Sequence, residues 1–164
     1  MSLISISPLD GRYEQETKKL HPYFSEYALM RYRVLVEIEY LIALSHEEEV
    51  RELPPIDSKD TNQLRDLYKY FSHTDAQRIK TIEQTTRHDV KAVEYFLKER
   101  FEELKLSEYS EFVHFGLTSQ DVNNTATPLS LKEAIEEQFF PLFEKLVIKL
   151  NELADEWKNV SMLA

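Results

Sequence analysis

Three short polar clusters in this 164-residue chain have the side-chain types and spacing that bind anions. The first is Arg12-Tyr13, directly after Gly11 in a leader without helical period. A guanidinium fork suits a phosphate, and a neighbouring phenol can stack or donate a hydrogen bond. The second is Thr85-Thr86-Arg87-His88-Asp89, which leads into a run containing Val90 and Val93. His88 and Asp89 stand there at a predicted helix start, where backbone amides lack intrahelical partners and attract negative charge. The third is Thr118-Ser119, followed by Gln120-Asp121 and Asn123-Asn124. Two hydroxyls beside the free amides of a helix start make a cradle for a carboxylate.

Taken singly, each cluster also has a plainer reading. Arg12 and Tyr13 suit a surface arginine beside a packed tyrosine. Asp89 alone can cap a helix, which would leave Arg87 and His88 incidental, and many helices begin with Thr-Ser. His21, His46, His73 and His114 lack metal-ligand spacing, so no metal site is expected. His114, within Phe112-Val113-His114-Phe115, reads as a core or interface histidine rather than a catalyst.

The elements that must position these clusters are helices. Two glycines and six prolines supply too few turns for a sandwich or barrel, so long segments fill the length. From Tyr23 to about Ser45, Tyr27, Val34, Ile38 and Leu41 recur at three- and four-residue steps, predicting a helix with a wide buried face. Leu53-Pro54-Pro55 breaks the chain, and Ser58 is the expected cap of a helix reaching Phe71. Further helices are expected from Asp75 to about Gln84 and from Asp89 onward, the latter striped by Val90, Val93, Leu97, Phe101 and Leu104. Gly116 reads as a helix C-cap and Thr118 to Asp121 as a fresh start. A long helix is expected from about Leu129 to Trp157, apolar on two faces and kinked at Pro141. The fold class is all-α.

Composition narrows the partners. A net charge of −10 argues against nucleic acid, which needs clustered cations. Runs such as Glu47-Glu48-Glu49 read as solvated helix faces. The absence of cysteine excludes disulfides and thiolate catalysis and suits a reducing compartment. No signal pattern follows Met1 and no apolar run approaches the ~20 residues of a membrane span. No membrane association and a cytoplasmic location are expected.

Together, and in this order, three stretches resemble the adenylosuccinate lyases of the fumarase/aspartase superfamily. They are Ser7-Pro8-Leu9-Asp10-Gly11-Arg12-Tyr13, Thr85-Thr86-Arg87-His88-Asp89-Val90-Lys91-Ala92-Val93-Glu94-Tyr95-Phe96, and His114-Phe115-Gly116-Leu117-Thr118-Ser119-Gln120-Asp121-Val122-Asn123-Asn124. The resemblance runs along essentially the whole chain. It implies an amino-terminal helical domain over residues 1–110 and, over 111–164, the start of a central helix-bundle domain that forms a homotetramer. It also implies a β-elimination that cleaves adenylosuccinate to AMP and fumarate, and the succinyl-carboxamide ribonucleotide likewise, with no metal or organic cofactor.

By that resemblance Arg12 and Tyr13 hold the phosphate end of a small-molecule nucleotide. Arg87, His88 and Asp89 line the pocket, and Thr118 and Ser119 bind the succinyl carboxylate. The family's general acid, a histidine in a His-Gly-Gln segment, and its general base, a serine on a Ser-rich loop, would lie beyond Ala164. The chain is therefore expected to be an amino-terminal fragment, inactive alone. Two other readings stand beside this one. One is another superfamily lyase that releases fumarate, which would need no cation at Arg12. The other is a non-catalytic helical interaction module.

Overall fold

A computed structural model of the chain describes residues 4–161 and 163, which form helices joined by turns, with no strand among them. Met1, Met162 and Ala164, on which the expectations about a leader and a truncation partly rest, lie outside the described residues. The chain divides into two compact units, one of residues 21–130 and one of the residues up to Leu20 with those from Leu131 onward.

The larger unit is built on α3 (Glu26–Leu44), which α2 (His21–Phe24) precedes. Around α3 pack α4 (Ser58–Lys69), α5 (His73–Thr86) and α6 (Asp89–Leu104). A 3₁₀ turn at Ser107–Phe112 follows α6, and α7 (Ser119–Ala134) begins within this unit. Ten of the nineteen residues of α3 are buried, so it needs partners on more than one side. On one side Val34, Ile38 and Leu41 join Leu64, Ile79, Val93, Phe96, Leu97 and Phe101 in the main core. On another, Ala28, Tyr32 and Val36 join Val90, Val122 and Ala126. The second cluster brings the starts of α6 and α7 onto α3.

Helix starts follow local chemistry, with small departures from expectation. The Asp57 carboxylate, not the Ser58 hydroxyl, caps α4 by accepting from the Asp60 amide at 2.7 Å. α5 begins two residues before the expected Asp75, because Ser72 and Asp75 form a reciprocal capping box. α6 starts at Asp89 as expected, but its N-cap is the His88 imidazole.

In the smaller unit the leader is a hydrogen-bonded turn despite its lack of period. The Asp10 carboxylate accepts from the Ser7 amide, the Tyr13 amide reaches the Pro8 carbonyl, and the Thr17 hydroxyl reaches the Leu9 carbonyl. Gly11 is buried in it, and a Cβ there would meet Ser5 Cβ at 3.2 Å and the Ser7 carbonyl oxygen at 3.3 Å. α1 (Glu14–Thr17) and a 3₁₀ turn (Lys18–Leu20) follow.

The expected single helix from Leu129 to Trp157 is instead α7, already begun at Ser119, then a π-turn at Ile135–Phe139, then α8 (Phe140–Trp157). Pro141 explains the interruption. Its ring crowds the carbonyl four residues back and it donates no amide hydrogen, and a widened turn relieves that crowding. The Phe140 amide donates to Ile135, five residues back. No residue of α8 is buried.

Candidate functional site

The loop between α5 and α6 is only two residues long. The Thr86 hydroxyl donates to the His88 carbonyl at 3.1 Å and steadies the corner. Arg87 takes a left-handed conformation at φ 54°, unusual for a residue with a Cβ, and its amide closes α5 on the Glu83 carbonyl. His88 then turns extended, and its Nδ1 accepts from the Lys91 amide at 3.2 Å. An imidazole nitrogen that accepts from an amide carries no hydrogen, so the hydrogen of neutral His88 sits on Nε2. The 3.6 Å approach of Nδ1 to Asp89 Oδ1 is accordingly no ion pair in that form.

Nε2 faces Ser119 Oγ at 3.4 Å. The two residues are 31 positions apart, and the meeting of the α6 and α7 starts creates the contact. At the start of α7, Thr118 is the capping residue. Its hydroxyl accepts from the Asp121 amide at 3.3 Å and donates to the Asp121 carboxylate at 2.7 Å, while its own amide donates to that carboxylate at 2.7 Å. These bonds hold the Asp121 carboxyl below its usual range. With the capping role taken by Thr118, the Ser119 hydroxyl can accept from His88 and still has its own hydrogen to donate.

Asp89 occupies the first position of α6. Its Oδ1 accepts from the Val90 amide at 2.9 Å and its Oδ2 from Arg33 at 2.6 Å. Burial pushes this carboxyl up, but the Val90 amide and the Arg33 guanidinium outweigh it, and the net shift is downward. A cleft of about 340 Å³ opens beside the pair, lined by Glu26, Arg33, Glu83, Arg87, His88 and Asp89. Lys80 bridges Glu26 and Glu83, at 2.7 Å to each, and offsets the acidic side. Among the described residues no carboxylate pairs with Arg87, nor with Arg12. Arg12 and Tyr13 lie in the smaller unit, both exposed, with the guanidinium 5.4 Å from the centre of the Tyr13 ring. No group of acidic and histidine side chains among the described residues is arranged for a metal ion.

Three residues of α3 that sequence reasoning missed hold the third cluster in place. Arg33 Nε donates to Asn123 Oδ1 at 2.9 Å. Glu37 grips His114 at both its amide and its ring, and the Tyr40 hydroxyl donates to the Phe115 carbonyl at 2.9 Å. Their spacing of four and three residues puts them on one side of the helix. No local signal marks them, because Arg31 and Glu39 on the same helix are charged as well. His114 is partly buried, 17% exposed, with its ring against the Glu37 carboxylate.

The larger unit thus presents an imidazole and a hydroxyl at two convergent helix starts. A family model described as Lyase matches residues 11–164, and the chain belongs to that family. Among curated relatives, the adenylosuccinate lyase of Dictyostelium discoideum is 51% identical over 167 residues. Those of Haemophilus influenzae and Escherichia coli strain K12 are 43% and 42% identical over 164 residues. Each match covers 99% of this chain, which spans 36% of the length of the relative.

Proposed function

We propose that this chain is the amino-terminal part of an adenylosuccinate lyase of purine biosynthesis and binds the succinyl end of the substrate at His88 and Ser119. The observation that carries the reading is the 3.4 Å separation of His88 Nε2 from Ser119 Oγ, with Nδ1 occupied by Lys91. Both atoms then have a hydrogen to give, so one carboxylate oxygen can accept from both. Donors fixed in advance also favour the negative charge that builds up when a proton leaves the carbon beside a carboxylate.

In this reading Thr118 and Asp89 hold the two helix starts, and Arg87 supplies a cation at the cleft mouth. Arg12 and Tyr13 take the phosphate end of the nucleotide, a role that suits an exposed guanidinium without a carboxylate partner. Residues 1–110 and 111–164 correspond to the first domain and the beginning of the central bundle. The complete enzyme is a cytoplasmic homotetramer in this reading; the exposed apolar side chains of α8, which include Leu142 at 70%, support the association alone.

The test is a titration of isotopically labelled chain with succinate and with adenylosuccinate, followed by amide chemical shifts. Shifts concentrated at the starts of α6 and α7 support the reading. Shifts elsewhere, or none, reject it.

A further inference from the structure

Arg33 makes a connection that the anion site by itself does not require. It lies within α3, its side chain is only 8% exposed, and its guanidinium is shared between two other helices. Nη2 donates to Asp89 Oδ2 at 2.6 Å, and Nε donates to Asn123 Oδ1 at 2.9 Å. Asp89 is the residue after His88. Asn123 is four residues after Ser119, on the same face of α7. We propose that Arg33 is a positioning residue that sets the distance between His88 and Ser119 by tying the first turns of α6 and α7 to one guanidinium plane. This rests on the reading of those two residues as an anion site.

The geometry favours this over simple burial. A charge so far from water must be paired, and a guanidinium fixes the directions of its donors in one plane. Asp89 and Asn123 cannot move independently while both bonds are kept, because the same planar group sits between them. Apolar packing of Val90, Val122 and Ala126 brings the helices together but tolerates sliding along their axes. Lysine at position 33 would keep the charge, yet one ammonium on a flexible stem does not reproduce two in-plane directions.

The test measures the distance itself. In the native chain, nuclear Overhauser contacts should join the His88 ring protons to the Ser119 β-protons. Arg33→Lys should weaken them, and Arg33→Gln should abolish them while helical content and the contacts of Val93 with Phe96 persist. Asn123→Ala, at a half-buried position, removes only one acceptor and should weaken the His88–Ser119 contacts even if Arg33→Gln does not fold. Contacts undiminished in Asn123→Ala, or lost only together with those of the core, overturn the proposal.

A parallel succinate titration separates the two ideas. Affinity about tenfold lower in Arg33→Gln supports positioning for binding. Failure of the native chain to bind succinate rejects the anion reading alone, and the distance measurement still decides whether Arg33 sets the spacing.

Discussion

Glu37 and His114 meet through two contacts across 77 residues of sequence: Oε2 accepts from the His114 amide at 3.1 Å, and Oε1 lies 2.5 Å from Nδ1 of its ring. The Glu37 side chain is fully buried. Burial pushes its carboxyl up, and the His114 bonds only partly reverse this. His114 itself has a left-handed φ of 62°, and two residues on Gly116 has φ 71°, so the chain turns sharply twice before Thr118. The Glu37 carboxylate holds the first of these turns, which is costly for a residue with a Cβ.

Glu37→Ala should therefore cost about 3 kcal/mol in urea unfolding, since it strands the His114 amide and ring in a mostly buried site. Glu37→Gln keeps an acceptor for the amide and no charge to bury. It should cost clearly less. Equal losses for the two variants would show that the carboxylate charge, rather than the shape of the bond, supports the loop.

Thr118 and Ser119 are adjacent, yet the structure assigns the cap to the first alone. Thr118→Ala should lower stability by about 1 kcal/mol through loss of that cap. Ser119→Ala should leave the unfolding curve unchanged and weaken succinate or adenylosuccinate binding about tenfold or more, the loss of a charged hydrogen bond. Unfolding curves with binding isotherms of both variants check the separation. A Ser119→Ala variant that melts early and binds normally would reverse the assignment.

The Ser72–Asp75 box gives a pH signature. Burial pushes the Asp75 carboxyl up, but the Ser72 hydroxyl and amide and the Arg100 guanidinium outweigh it, leaving it below the usual 3.8. A carboxyl whose folded value is depressed stabilises fully above its unfolded value, and that share is lost as pH falls toward the folded value. Urea midpoints should thus drop as pH is lowered through 3.8, and the drop should be smaller in Asp75→Asn. Ser72→Ala should cost about 1 kcal/mol at neutral pH.

α8 and the turn before it expose Phe139, Phe143, Leu146 and Leu150, each at least half accessible. Phe139 and Phe143 stack at 5.9 Å in the same stripe. Contiguous apolar surface of this kind drives association in water. The chain should sediment as an oligomer at micromolar concentration, and the double change Leu146→Glu, Leu150→Glu should return it to a monomer. A monomer before mutation, or an oligomer indifferent to the two charges, would count against it.

The helical class and most helix starts are legible in the chain because their causes are local. The stripe of Val93, Leu97 and Phe101 is set by a 3.6-residue period, and capping at His88 or Thr118 involves partners within three residues. Pro141 likewise announces an interruption through its own missing amide. Only the tertiary structure decides which polar residues act together. Arg33 and Glu37 look like ordinary charges on a helix until α6, α7 and the 113–118 turn close over them. Their partners lie 56 to 90 residues away, beyond the reach of any periodic signal. His88 shows both sides of the matter. Its place at a helix start is local, but the Ser119 hydroxyl that gives its Nε2 a partner comes from the packing of Val90 against Val122, a contact that exists only once the chain has folded.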